Sequence, residues 1–434
     1  MKPIPHLHAR IWTFTITYLA IASRHTAIQS WSMVKPEVGA DLSMNSTWLG
    51  VMDFTFLLCY ATGNFISGNL GDHTSLSAIT SIGIGLGGCA YFINALLGKL
   101  NFSNPWIFAI LFGLQGAFQS SAWPASVAIM GNWFPRDKTG RIVGFWSSNT
   151  SVGHLLGAQM AGFLLVYGVS WEIIISISAT FMICVGLMFW FYGKDRPPEH
   201  EAEEALLSKS MTENKIIFKN GINFWKAWRL PGVLYYSLCY ACVKMLNYAI
   251  LMWLPYFLDD EYNIDKRYIG FMANIYDIAS IVGAFGFGWL TDKLKARGPT
   301  LCLIMLFSIP TIWCFHIVPH DLWYLIFGVC ILLGALAGTA GHLISAAVPI
   351  DIGKHEHLEG NEEALATVAG IVDGTGGLGA AFGQILIGYL ASFDWMYAFV
   401  FMLIAAFISL LLLIPISIRE YKEAKLIKTN NKIV

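Results

Sequence analysis

LGVMDFTFLLCYATGNFISGNLGD (49–72) and IGFMANIYDIASIVGAFGFGWLTD (269–292) lie over one another without a gap. Gly50, Gly68 and Asp72 fall on Gly270, Gly288 and Asp292, each 220 positions on. Both stretches are apolar over about 20 residues, the length a helix needs to cross a bilayer. A second correspondence follows, in which Gly144, Gly153, Gly157 and Gly162 fall on Gly370, Gly379, Gly383 and Gly388, an offset of 226. The chain is therefore an internal duplication of membrane-crossing helices.

Composition agrees with that reading. Of 434 residues, 56% are hydrophobic and only 13% charged, about half the charged share of a soluble protein. Apolar runs mark spans near 10–31, 47–70, 75–98, 105–132, 140–167 and 171–192, and again near 231–258, 268–290, 299–318, 322–349, 364–391 and 395–418. The expected fold is an all-α membrane protein with twelve transmembrane helices in two six-helix pseudo-symmetric bundles. Residues 1–192 and 231–434 form the bundles, and the charged stretch 193–230 joins them as a solvated linker. With both termini and the linker in the cytosol, 21 of the 27 Lys and Arg lie on the cytosolic side, as the positive-inside rule requires. Lys35, Lys99, Lys266 and Arg267 fall on the opposite side, and Arg24 and Lys244 fall within spans. Asn45 and Asn101 begin glycosylation sequons on that opposite side. The net charge of −1 says little, because the charges are not spread evenly, and no nucleic-acid partner is expected. All eight cysteines lie in apolar runs, so no disulfide framework is expected, and Cys239-x-x-Cys242 reads as helix interior. KHEHLEGNEE (354–363) contains metal-ligating residue types without ligand spacing and reads as a solvated loop.

Arg24 and Lys244 carry the chemistry. An arginine in the middle of a span is unfavourable by about 2.5–3.5 kcal/mol on insertion scales. The offset of 220 carries Arg24 onto Lys244, so the two cations occupy equivalent positions in the two halves. In repeats related by an axis along the membrane normal, such positions face one another across a central cavity. Two facing cations are favourable when an anion lies between them, and a guanidinium fork with an ammonium suits an oxyanion such as phosphate. Tyr240, Lys244 and Tyr248 share one face of the seventh span. Tyr18 and His25 share a face of the first. The competing reading is structural: the cations neutralise buried acids, for which Asp53, Asp277 and Asp373 are available. His25, His154, His316 and His342 also lie in spans and titrate in the range that couples protons to transport. Pro124 is expected to kink the fourth span, and Pro255 lies near the end of the seventh. No zinc-protease or nucleophile motif is present, so no enzyme and no cofactor is expected.

In these segments, together with GAFQSSAWPASVAIMGNWF (116–134), LPGVLYYSLCYACVKMLNYAILMWLPYFL (230–258) and EALATVAGIVDGTGGLGAAFGQ (363–384), the sequence resembles the major facilitator superfamily. Within it, the sequence is similar to the sugar-phosphate exchangers of the organophosphate:phosphate antiporter group. The resemblance implies antiport of a sugar phosphate or glycerol phosphate against inorganic phosphate by a monomer. It also implies an endomembrane location such as the endoplasmic reticulum or lysosome, with the plasma membrane as the alternative. The group's span-1 arginine falls on Arg24 and its span-7 basic residue on Lys244. Bacterial relatives place that cation one turn later, at Asn247 here. Where the group has Arg-Lys in span 1, this chain has Arg24-His25. Asn149 and Thr150 occupy the region of a span-5 histidine, and Asn64 stands where some relatives have lysine. The substrate-lining residues expected are Arg24, Lys244, His25, Tyr18, Tyr240, Tyr248, Asn247 and Asn149.

Overall fold

A computed structural model describes residues 7–134, 145–146, 148–197, 224–230, 232–294, 296–347 and 362–430. Among them are helices and turns and no strand. The first half contains α1 (Leu7–Asp41), α2 (Ser46–His73), α3 (Leu76–Lys99), α4 (Pro105–Gln119), α5 (Ala122–Trp133), α6 (Asn149–Val166) and α7 (Trp171–Tyr192). The second contains α8 (Val233–Tyr262), α9 (Lys266–Leu294), α10 (Gly298–Ile317), α11 (Leu325–Leu333), α12 (Glu362–Ala391) and α13 (Trp395–Asn430). α4 and α5 are two pieces of one span, which gives six spans to each half. Eight helices are long and apolar enough to cross a bilayer. Most of the linker, and residues 354–361 of the histidine-containing loop, lie outside the described residues.

Three departures from the expected spans have local causes. The fourth span breaks at Ser120 and Ser121, because Pro124 has no N–H for the carbonyl four residues back, that of Ser120. α11 continues to Ala347 through two π-helical turns, Gly334–Gly338 and Leu343–Ala347. Most consequential, α1 does not stop near residue 31 but runs on to Asp41 through Pro36. Lys35, expected in a loop on the far side, is therefore helical and fully buried. It is a third cation inside the membrane domain.

The duplication is visible in the packing. α6 lies on α1, and α12 lies on α8. A Cβ on Gly153 of α6 would stand 2.5 Å from the Ala22 carbonyl oxygen of α1. A Cβ on Gly379 of α12, its repeat equivalent, would stand 2.4 Å from the Ala241 carbonyl oxygen of α8. Small residues let these backbones touch. Gly379→Ala should therefore force α12 off α8 and lower stability by about 1–3 kcal/mol, read as a fall in the thermal unfolding midpoint in detergent. An unchanged midpoint would contradict the close approach. The helix starts repeat as well. The Asp195 carboxylate accepts from the Leu76 and Ser77 amides at 3.0 and 2.7 Å, and Glu420 accepts from the Arg297 and Gly298 amides at 2.8 and 2.7 Å. Each acid satisfies orphan N–H groups at the start of a helix, α3 or α10, from beyond or within the last helix of its own half.

The halves meet through α2 on α12, α6 on α9 and α1 on α8. Among the described residues, a group of polar contacts between them lies on the face opposite the chain termini, here called the distal face. Ser32 Oγ donates to the Leu251 carbonyl at 2.9 Å, and Lys35 Nζ to the Met252 carbonyl at 2.9 Å. Pro255 leaves the Leu251 carbonyl without its helical donor, so the kinked α8 offers α1 an acceptor. Lys266, at the start of α9, bridges Glu37 at 2.8 Å and Asp259 at 2.5 Å. The protein is closed on the distal face.

Candidate functional site

A cavity of about 100 Å³ lies between α2, α8 and α12, lined by Tyr60, Asn64, Lys244, Tyr248, Asp373 and neighbouring glycines and alanines. That is several times the roughly 10–15 Å³ a single water needs. Its walls come from both halves, as a site at a repeat interface requires.

Lys244 projects from α8 into this cavity. Its Nζ donates to Asp373 Oδ1 of α12 at 2.7 Å and lies 5.3 Å from the Tyr240 ring centre. The structural reading of Lys244 is thus realised in part, because it has an acid partner. That partner's side chain is 54% exposed to the cavity, so an incoming anion can compete for the ammonium. Tyr240 is buried beside Lys244, and Tyr248 is part of the wall.

Arg24 is 3% exposed. Its guanidinium carbon lies 4.4 Å from the centre of the Tyr60 ring, and its Nε has no hydrogen-bond partner. Among the described residues no carboxylate pairs with it. Asp53 belongs instead to Lys35 and also accepts from Trp31 Nε1 at 2.7 Å. Arg24 is not itself part of the cavity wall; Tyr60, which is, covers it. Tyr248 lies within electrostatic reach of both Arg24 and Lys244. The two cations thus approach one cavity from opposite halves without touching, one held by a carboxylate and one by an aromatic face.

The other expected residues lie elsewhere. Tyr18, two turns before Arg24, bonds Ser148 Oγ at 3.0 Å. Asn149 is buried beside that contact; its Oδ1 accepts from Thr150 Oγ1 at 3.2 Å, and its Nδ2 has no partner. Asn247 turns toward α9 and accepts from Tyr276 Oη at 2.6 Å. His25 faces α6, where its Nδ1 lies 3.0 Å from His154 Nε2. The other nitrogen of His154 lies 2.7 Å from Asp277 Oδ2. The cysteines described are all free, and no metal-ligating cluster occurs among the described residues.

Sequence reasoning missed Tyr60 and Lys35. Tyr60 shows no signal beyond being an aromatic on the second span. Lys35 left one: Asp53 in mid-span needed a cation, and Lys35 stands on the same side of α1 as Trp31, one turn away.

Two pseudo-symmetric six-helix halves around a polar cavity, sealed at one face, define an alternating-access membrane carrier. The chain belongs to the Major Facilitator Superfamily, whose model matches residues 15–358 and 237–432. It is 31% identical to "Sugar phosphate exchanger 3" of Homo sapiens over 95% of this chain and 90% of that one. It is 32% identical to "Putative glycerol-3-phosphate transporter 2" of Arabidopsis thaliana over 94% and 86% of the two chains. Among solved structures it superposes on the nucleoside transporter NupG with a TM-score of 0.69 at 11% identity, covering 96% of this chain and 100% of that one. A bacterial homologue of the human lysosomal transporter Spinster, inward-facing and unoccupied, gives 0.67 at 14% identity, with 98% of each chain covered. These structural likenesses show the fold; the family is one of transporters, not enzymes.

Proposed function

We propose that this protein exchanges a sugar phosphate or glycerol phosphate for inorganic phosphate across a membrane. One observation carries the reading: repeat-equivalent cations, Arg24 and Lys244, approach one cavity between the halves, and Asp373 and Tyr60 hold them in place of an anion. The relatives named as sugar phosphate and glycerol-3-phosphate carriers support the same substrate class. An oxyanion in the cavity would draw Lys244 from Asp373 and Arg24 from beneath Tyr60, replacing both partners at once. Without it, Arg24 has no counter-charge, and this makes reorientation of the empty carrier unfavourable. Exchange rather than net flow follows from that penalty.

Residues 1–192 and 231–434 would move as the two bodies, with 193–230 as a cytosolic tether and both termini cytosolic. The carrier would work as a monomer in an endomembrane such as the endoplasmic reticulum or lysosome. The test is counterflow. Liposomes containing the purified protein and loaded with unlabelled phosphate should accumulate labelled phosphate transiently above its external level, and external glycerol 3-phosphate should compete. Uptake no faster than into protein-free liposomes would reject the reading.

A further inference from the structure

We propose that His25, His154 and Asp277 form a proton-binding site, built from both halves of the chain, whose occupancy favours the state closed on the distal face. The three side chains make an unbroken line. His25 Nδ1 lies 3.0 Å from His154 Nε2, and His154 Nδ1 lies 2.7 Å from Asp277 Oδ2. Both imidazoles are buried. His25 and His154 belong to α1 and α6 of the first half; Asp277 belongs to α9 of the second.

A nitrogen–nitrogen hydrogen bond holds a single hydrogen, so the line can be filled in two ways. In one, His25 is neutral and donates from Nδ1 to the Nε2 lone pair of His154, which donates from Nδ1 to the Asp277 carboxylate. In the other, His154 carries hydrogen on both nitrogens. It then donates to His25 Nδ1 on one side and to Asp277 on the other, as an imidazolium against a carboxylate. Both fillings keep both hydrogen bonds, and they differ by one proton exchanged with water. Only the second sets opposite charges in contact. Parting α6 from α9 removes the counter-charge of His154 and leaves Arg24 next to His25, so the imidazolium releases its proton. The closed state therefore binds the proton more tightly, and acid favours closure.

The surroundings leave this assignment intact. Arg24 opposes protonation from the same helix. From α2, Tyr60 covers Arg24, and Asp53 is engaged by Lys35. From α3, α5 and α7, Tyr91 bonds the Ala27 carbonyl, Met130 lies against Thr17 and Ser178 bonds Ser30, and none of the three is charged. From α8, Lys244 is held by Asp373 and Tyr248 lies within electrostatic reach of Arg24, while Asn247 is bonded to Tyr276 of α9. From α11, His342 lies near Asp277 and 3.4 Å from Ser280 Oγ. Among the described residues, Asp277 is the carboxylate that touches this pair. Because Arg24 adjoins His25, an anion neutralising Arg24 would also favour the proton, and by reciprocity the proton would favour the anion.

The test uses the full chain, without phosphate, so it stands apart from exchange. Ala158 of α6 is fully buried, with its carbonyl against Gly270 of α9. Ala158→Cys should react with a polar maleimide when the distal face opens, over the background of the parent protein. Because only the thiolate reacts, the rate at each pH is divided by that of free cysteine with the same maleimide. As pH falls from about 8 to 5.5, this normalised rate should fall, by at most about tenfold per pH unit for one proton. The dependence should flatten in Ala158→Cys carrying His154→Gln or Asp277→Asn, each checked for a folded, monodisperse product. A normalised rate independent of pH overturns the proposal, as does an unchanged slope of that rate in either folded variant. Failure of phosphate counterflow would reject the exchange reading and leave this result standing.

Discussion

Arg24→Gln is expected to reduce phosphate counterflow by roughly 30-fold or more, the lower end of the about 2–5 kcal/mol lost when a buried charge-pair partner is truncated, while the protein remains folded. The second half of that statement gives the prediction its force. Arg24 has no ion-pair partner among the described residues, and its Nε makes no hydrogen bond. Removing it strands no carboxylate and relieves a buried positive charge. A residue kept for packing would show the opposite pattern, lost stability with unchanged turnover in the folded remainder. Arg24→Lys should fall between, since an ammonium keeps the charge and loses the planar fork. Counterflow in liposomes and a melting curve on the same preparation check both halves. Full exchange by Arg24→Gln would remove Arg24 from the anion site.

Lys35→Met is expected to do the reverse, destabilising the protein by about 3–5 kcal/mol. Lys35 and Asp53 are both essentially unexposed, at 0% and 1%, and deleting the cation strands a carboxylate where water does not reach. Trp253, whose ring centre lies 4.2 Å from Lys35 Nζ, provides no substitute for charge. Lys35→Met with Asp53→Asn should recover most of the loss. The pair is replaced by neutral groups, and Asn keeps an oxygen for the Trp31 indole. Thermal unfolding in detergent separates the cases. A double variant as unstable as the single would show that the loss comes from packing around Trp31 and Trp253 rather than from the stranded charge.

These two cations also show how far the sequence reaches. The repeat offset linked Arg24 to Lys244 across 220 residues, because gene-level duplication leaves a register that survives in glycines and acids. Apolar runs located the helices, and the structure repeats the duplication in Gly153 on Ala22 and Gly379, 226 residues later, on Ala241. Lys35 escaped because charge and Pro36 together look like the end of a span. The helix continues because the Asp53 carboxylate and the Met252 carbonyl satisfy the ammonium inside it, while the Trp31 indole donates to the same carboxylate. Lys244 was legible as a cavity residue, but Asp373 as its partner was not, since three acids were equally available in the sequence. The line from His25 through His154 to Asp277 joins three helices that no periodicity relates. Asn247, three residues after Lys244, turned out to serve the α8–α9 contact instead of the cavity, because three residues on a helix rotate a side chain only approximately back to the same direction.

Ser32 on the Leu251 carbonyl, the bond made available by Pro255, has a consequence for how the distal face opens. That carbonyl loses its donor from α1 when the halves separate, and the proline ring prevents α8 from supplying one. A bare carbonyl facing lipid or vacuum would be unfavourable by several kcal/mol, whereas one facing water is satisfied at once. The Met252 carbonyl and the Lys35 ammonium beside it make the same demand. Separation of the halves therefore has to admit solvent along α1 and α8 from its first ångströms. Hydration of the vestibule belongs to the opening step itself, and agents that withdraw water, such as excluded osmolytes, should hold the distal face shut.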